Sequence, residues 1–547
     1  MGVTRRRFLT YLGIGTYGLL RGHAPSRAEP AFPLPRRRGE PPRLFQPISP
    51  GKADQFVLPA GFRYDIVAAW DDPLGTSGPY GPERFGYDND LLVYFPIDAL
   101  TGGKSNSEGL LWVNHENANP LFVSRYLGKE RKTEAQIIGE KLAMGGSVIH
   151  IRRQDGKWRH VPGSKYTRRF TALYPKIPLS GPTATLVPEG VGTLANCSGG
   201  RTPWHTVLSC EENYKDCNGV MSEGEYEGLR WADVPEQRLD ERQYGWVVEV
   251  DPFGELPPLK HSALGRFAHE NTAWRLGRTG RLVIYMGDDA QDQYFYKFVS
   301  HQNFDPVAPR AEQRKLLSEG TLYVADFIKG QWLPLDFDRN PLLKAGGFKS
   351  QAEVLLGARD AAKKVEATPL DRPEDCEVHP LDGTLYIALT NNRKHGNLYG
   401  QIVRLIEDGD NAEGESFRFE IFLAGGPQSG LACPDNLCFD KLGNLWVACD
   451  ISGASIGKGA YQSFGNNGFY FIPTSGPAAG EAFRFASAPV DAELTGPWFT
   501  ENEDTLFLAI QHPGALSKNL DQLTSHWPNG GDSLPRPAVA AITGFSR

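Results

Sequence analysis

Acidic and amide side chains recur in this chain where apolar runs begin or end. The run "LLWVNHENANP" (110–120) breaks into His115, Glu116 and Asn117, "HTVLSCEEN" (205–213) closes on Glu211, Glu212 and Asn213, and "HEN" returns in "RFAHENTAW" (266–274). A second set lies in short segments upstream of the repeated apolar runs: "ANCSGG" (195–200), "FAHENTAW" (267–274), "RPEDCEV" (372–378), "CPDNLCF" (433–439) and "AELTGPW" (492–498). Each holds one strong ligand type roughly ten residues before the next run, namely Cys197, Glu270, Glu374, Asp435 and Glu493. Carboxylates gathered in a dry site repel one another and take up protons unless a cation intervenes. Oxygen donors suit hard ions such as Ca²⁺, and a thiolate suits a transition metal such as iron or zinc, so the mixed set points to more than one metal.

Such residues converge only if the elements bearing them repeat around an axis. Six segments share an apolar run of about five residues with a polar end: "GLLWVNHEN" (109–117), "HTVLSCEEN" (205–213), "GRLVIYMGDD" (280–289), "GTLYIALTNN" (383–392), "GNLWVACD" (443–450) and "DTLFLAIQHP" (504–513). They read as buried strands, and five are followed by a second strand-like run. The sixth shows no downstream partner, so strands from the N-terminal region, such as "FRYDIVAAW" (62–70), are expected to close it. The fold class expected is all-β, a six-bladed β-propeller with helical and loop insertions, with seven blades left open by the region 56–100. Strand starts at the axis and the ends of neighbouring strands then share one mouth, which brings Glu116, Glu211, Glu212 and Asp289 to the first set. Asp288 and Asp450 occupy comparable ends. A competing reading makes Asp435 and Asp450 turn residues and Cys197 a buried thiol. Arg372, two residues before Glu374, and Arg169, in "YTRRFTALYP" (166–175), are candidate anion clamps; nearby His115, His269, His379 and His512 read as structural.

The remaining features bound the class. The chain has 547 residues, 22% charged and 11% aromatic, with 61 Gly and 41 Pro that favour turns over long helices. Its acidic balance argues against nucleic-acid binding. "TRRRFLT" (4–10), the apolar "YLGIGTYGLL" (11–20) and small residues before position 29 resemble a twin-arginine export signal, residues 1–28, too short in its apolar part to span a bilayer. Its removal takes five arginines and no acid, changing the net charge from −7 to −12. The expected destination is periplasmic or secreted, with the Tat translocase as partner during export and no membrane anchor after cleavage. Residues 29–50 are Pro- and Arg-rich and expected to lie extended on the surface, and 51–547 to form a single domain. Within it, 214–243 reads as a surface loop and 350–365 as a helix started by Ser350 and Glu353. Seven cysteines are too sparse for a disulfide scaffold.

Eleven of these elements, in order, resemble the PhoX family of secreted alkaline phosphatases: "VNHENANP", "YTRRFTALYP", "NCSGGRTPW", "SCEENY", "GRFAHEN", "YMGDDAQDQYFYKFVS", "GTLYVADF", "DRPEDCEVHP", "LTNN", "CPDNLCFD" and "LAIQHPG". The resemblance implies a propeller whose channel holds iron and calcium ions (Fe³⁺ and Ca²⁺) and hydrolyses small-molecule phosphate esters. It implies Cys197 as an iron ligand, Glu270 and Glu374 as metal ligands, and Arg372, with Arg169, as phosphate clamps. Arg372, Arg169 and Glu270 form the expected catalytic group; Cys197, Glu116, Glu211, Glu212, Glu270, Asp289, Glu374, Asp435 and Glu493 form the expected metal set. His205 after Trp204, Cys376 and Glu377 after "RPED", and "AELTG" depart from the family pattern and bear on substrate preference. Two other readings stay open at this point: a calcium-dependent lactonase or other ester hydrolase, and a non-enzymatic calcium-binding scaffold.

Overall fold

In the computed structural model, residues 44–128, 130–219 and 228–545 are described. Their strands form six main sheets arranged as a six-bladed β-propeller, antiparallel except where Leu259–His261 runs parallel to Lys176–Ser180 in blade 2. The innermost strands, in blade order, are Asn89–Pro96, Asn196–Arg201, Ala273–Leu276, Pro373–Val378, Pro434–Phe439 and Glu493–Phe499. Each pairs with the repeated apolar strand that follows it: Glu108–His115, Val207–Glu211, Arg281–Gly287, Leu385–Leu389, Leu445–Cys449 and Thr505–Gln511.

These second strands lack polar alternation because both of their faces are buried. In Leu385–Leu389, the side chains of Leu385, Ile387 and Leu389 pack with Val283, Tyr285 and Phe295 of blade 3, while Tyr386 and Ala388 pack with Leu437 and Val447 of blade 5. The same division recurs at every blade boundary, so each of the six interfaces has its own apolar cluster. A strand covered on two sides reads as a continuous apolar run.

The region 56–100 supplies two blade strands and a small two-stranded hairpin, Pro73–Gly78 with Gly81–Arg84, and no seventh blade. Asn89–Pro96 is the innermost strand of blade 1, and Arg63–Ala69 is the outermost strand of blade 6. Blade 6 does have a downstream third strand, Ala538–Thr543, which pairs with Thr505–Gln511 on one side and Arg63–Ala69 on the other. Its sequence "AVAAIT" is fully buried and rich in alanine, a poor strand signal on its own.

Three expectations about insertions change. The helix at 350–365 is two short helices, Gln351–Leu356 and Ala358–Lys364, broken at Gly357. The stretch 214–243 is not simply surface, because Trp231 is fully buried and its Nε1 donates to Glu140 at 2.8 Å. The described part of 29–50 docks on blade 5: the Phe45 ring meets Phe485 edge-on at 5.0 Å, and the Ile48 amide donates to the Arg484 carbonyl. Residues 1–28 lie outside the described residues. Among the described residues, no helix is long and apolar enough to cross a membrane.

Blade 2 is fastened by one buried carboxylate. Glu249 accepts from Trp204 Nε1 at 2.7 Å, Thr206 Oγ1 at 2.6 Å, His261 Nε2 at 2.9 Å and Arg314 Nε at 2.9 Å. Burial opposes its charge, but His261, Arg314 and Thr206 outweigh that and push it down to about 2. A depressed carboxylate stabilises the fold above its unfolded value and loses that contribution as pH falls through the folded one. Glu249→Ala is therefore expected to lower stability at neutral pH by about 3 kcal/mol or more. Urea unfolding of both proteins checks this, and their difference should narrow between pH 4.5 and about 2.

Candidate metal centre

Five inner strands are entered through a non-glycine residue in the left-handed region: Asp88, Ala195, Arg372, Cys433 and Asp491, with φ of 51°, 51°, 53°, 51° and 61°. Two residues later come Asp90, Cys197, Glu374, Asp435 and Glu493. In four of these strands the register then slips, between Asn89 and Leu92, Asn196 and Gly199, Pro373 and Cys376, and Pro434 and Leu437. A bulge leaves a residue unpaired and re-aims its side chain. Asp90, Cys197, Glu374 and Asp435 fall inside these four slips. In blade 6 the slip comes later, between Thr495 and Trp498, and Glu493 is still in register with Gln511. Glu270 sits just ahead of its strand, its amide bonded to the Gly287 carbonyl at 3.2 Å.

Carbonyls of these entry residues take the amides that follow the second strands. Glu116 bonds to Asp88 at 2.9 Å, Glu212 to Ala195 at 2.8 Å, Asp450 to Cys433 at 2.9 Å and, in blade 3, Asp289 to Ala268 at 3.1 Å. Strand starts and strand ends thus face one mouth, as the sequence pattern requires. They line a cavity of about 760 Å³ that brings together Asp90, Glu116, Cys197, Glu212, Glu270, Asp289, Glu374, Asp435, Asp450 and Glu493, with Arg372 among them.

Cys197 Sγ lies 3.2 Å from Asp90 Oδ2 and 3.2 Å from Glu270 Oε1. Three trios have ligand atoms within 4.8 Å of one another: Asp90, Glu116 and Cys197; Cys197, Glu212 and Glu270; Glu270, Asp289 and Glu374. Consecutive trios share Cys197 and then Glu270, so the donors form one continuous chain. Burial pushes Asp90, Glu212, Glu270 and Asp435 well above the usual carboxylate range, and neighbouring carboxylates add to it. Burial also raises Glu374, although Arg372 opposes, and it raises the Cys197 thiol, helped by Asp90 and Glu270. Asp90 Oδ1 and Glu270 Oε2 are buried without a hydrogen-bond partner. A cluster of converging oxygens and one sulfur, with orphaned carboxylate atoms, fits cations.

Arg372 occupies the acidic wall. Its Nε and Nη2 donate to the two oxygens of Asp289 at 2.9 and 2.8 Å, Nη2 lies 2.5 Å from Glu374 Oε1, and Nη1 lies 3.1 Å from Asp450 Oδ2. His512 Nε2 lies 3.3 Å from Glu493 Oε1, and Gln511 Nε2 donates to Glu116 Oε2 at 2.6 Å.

Two expected site residues do not reach the cavity. Glu211 precedes Glu212 by one position, so strand alternation turns it into the blade, where it accepts from Lys260 Nζ and Thr193 Oγ1 at 2.7 and 2.9 Å. Arg169 is buried beneath blade 1, donating to Ser147 Oγ at 3.0 Å and to the Leu142 and Met144 carbonyls at 2.7 and 3.1 Å. Asp288 likewise turns away and pairs with Arg359. One residue of the ring escaped the sequence reading. Asp90 opens "DLLVYFP" as Asp435 opens its strand, and aligning first strands instead of second strands would have found it.

The amides of "HEN" and "PDN" have a different task from coordination. Asn271 Nδ2 donates to the Cys376 carbonyl at 2.7 Å and to Asp375, while its Oδ1 accepts from the Cys376 amide at 3.2 Å. Asp375 in turn accepts from the Leu437 amide at 2.9 Å, Asn436 from the Gly496 amide at 2.7 Å, and Thr495 donates to the Asn89 carbonyl at 3.1 Å. Asn114 of blade 1 reaches the Cys197 and Ser198 carbonyls of blade 2 at 2.7 and 2.9 Å. The residue beside one blade's ligand therefore holds the next blade's irregular backbone.

This fold and site define a class: six-bladed propellers whose channel is lined by carboxylates and a thiol that could hold cations. A family model, "Alkaline phosphatase PhoX", matches residues 43–514. The chain belongs to the PhoX alkaline phosphatase family, and it is a phosphatase. Among solved structures it is similar to Pseudomonas fluorescens PhoX in complex with vanadate, described as a transition-state analogue, at 32% identity and TM-score 0.79, over 92% of this chain and 99% of that one. Other matches are a protein of unknown function from Dyadobacter fermentans, at 10% identity and TM-score 0.39 over 88% of this chain and 99% of that one, and a Xanthomonas campestris gluconolactonase, at 12% and 0.28 over 89% and 99%. No curated protein matches.

Two predictions follow from this geometry. The raised carboxyls hold protons to higher pH in the folded chain than in the unfolded one, so without cations stability should fall as pH rises above about 4.5. Urea unfolding in a chelator from pH 5 to 8 tests this, and added calcium should flatten the slope. Asn271→Ala should cost about 2 kcal/mol through unsatisfied buried groups. It should also weaken cation uptake, measured by titration calorimetry, without removing any ligand.

Proposed function

We propose that the chain hydrolyses phosphate monoesters, with iron and calcium ions held in the propeller channel. Cys197 provides the thiolate that suits iron, shared with Asp90, Glu212 and Glu270, while the all-oxygen trio of Glu270, Asp289 and Glu374 suits calcium. When bound, such ions neutralise charge on the phosphoryl oxygens and lower the barrier to attack. The remaining work falls to the protein. Arg372 would bind the phosphate: its guanidinium is held bidentate by Asp289, and its Nη groups, now facing Glu374 and Asp450, would turn to non-bridging oxygens once those carboxylates are drawn to cations.

The observation that carries this reading is Arg372, a cation set among the carboxylates of Asp289, Glu374 and Asp450. Burial opposes its charge, but these three carboxylates raise its pKa well above the ordinary value and keep it charged. Cations on the ring would draw the carboxylates to themselves and leave the guanidinium for substrate. We also propose that residues 1–28 direct export by the Tat translocase to the periplasm or beyond, on the strength of "TRRRFLT" and the apolar run after it.

Arg372→Ala should reduce kcat/KM for p-nitrophenyl phosphate by about a hundredfold or more. Steady-state kinetics beside elemental analysis is the check. An unchanged rate with metals retained would favour an ester hydrolase that needs no phosphate clamp.

A further inference from the structure

Among the described residues, eleven acidic and three basic side chains line the cavity. Arg372 is accounted for; the other two cations, Arg393 and Lys394, are not used by the proposed reaction. They lie on a short helical turn, Arg393–His395, just after the second strand of blade 4. The turn is fixed in place. Asn392 accepts from the Lys394 amide at 3.1 Å through its side chain, and Asp292 of blade 3 accepts from His395 Nε2 at 2.6 Å and from Asn392 Nδ2 at 3.1 Å.

Both side chains are exposed at the rim and poorly neutralised. Arg393 Nη2 donates to Ser455 Oγ at 2.7 Å, a neutral partner that also lines the cavity. Lys394 Nζ stands 3.6 Å from Asp292 Oδ2, whose other oxygen is engaged by His395 and Asn392. Among the described residues no carboxylate pairs with Arg393, although carboxylates outnumber bases around the cavity. An anionic substrate approaching this mouth meets repulsion from the ring and, before it reaches Arg372, attraction from this edge.

We propose that Arg393 and Lys394 form a rim subsite for a second phosphate carried by the leaving group, so that small bisphosphorylated molecules are preferred substrates. The inference rests on the phosphomonoesterase reading above. One phosphate sits at Arg372, and the other is received at the rim through charge-assisted hydrogen bonds. The subsite contacts a part of the substrate that does not react, so it acts on binding more than on turnover.

The experiment compares fructose 1,6-bisphosphate with fructose 6-phosphate on the metal-loaded protein and on Arg393→Ala/Lys394→Ala, following phosphate release. The double variant should raise KM for the bisphosphate about tenfold with kcat within about twofold, and change KM for the monophosphate less than about threefold. Raising salt from about 50 to 300 mM should erode the wild-type preference and leave the variant unaffected. Arg393→Lys/Lys394→Arg should restore most of the preference. Equal changes on both substrates, or none on either, would overturn the subsite. Failure of the unmodified, metal-loaded protein to release phosphate from either sugar would instead overturn the phosphomonoesterase reading, and the subsite with it.

Discussion

The chain approaches the propeller axis by a strained route. In five blades a side chain larger than glycine is held at φ between 51° and 61°, a conformation that costs about 1–2 kcal/mol each. The carbonyl of that residue is well placed to receive the amide following the neighbouring strand, as at Asp88 with Glu116 and Ala195 with Glu212. In four of the five, the slipped register that follows turns the next side chain out of the blade and towards the centre. Fold and site are therefore one problem. The same backbone irregularity that interrupts the ladder delivers Asp90, Cys197, Glu374 and Asp435.

Concentrating so much negative charge in a buried space is unfavourable unless something opposes it. Arg372 does part of this by contacting three carboxylates at once. Asp90 and Glu270 each keep a buried oxygen without a hydrogen-bond partner, which a cation would satisfy. Elsewhere the molecule solves the same difficulty internally. Glu249, Glu211 and Glu407 each lie buried with a basic partner and further donors, and none of them lies in the channel. That contrast separates carboxylates built for structure from those built for ligands.

Much of this was legible in the sequence. Recurrence of an apolar run with a polar end revealed the second strands, and stepping back from each exposed Cys197, Glu270, Glu374, Asp435 and Glu493, all of which reach one cavity. Asp90 was hidden because blade 1's first strand lies in a region that also supplies the closing strand of blade 6. Glu211 was misplaced because two adjacent glutamates cannot share a face in a strand, and sequence does not say which of them points inward. Arg169 lies near the site in sequence order but beneath it in space, where carbonyls hold its guanidinium. The alanine-rich strand at 538–543 lacked a β signal because half of its residues are alanine, a poor strand former.

Blade 6 joins distant parts of the chain, since Arg63–Ala69 is laid against Ala538–Thr543. Every other blade lies between these partners in sequence, so they meet only when all have been brought round the axis. Until then the blade bearing Glu493 has no fixed neighbour in the blade bearing Asp90, and the circle around the axis stays broken. The cavity is thus a property of the closed circle of blades and not of any blade alone.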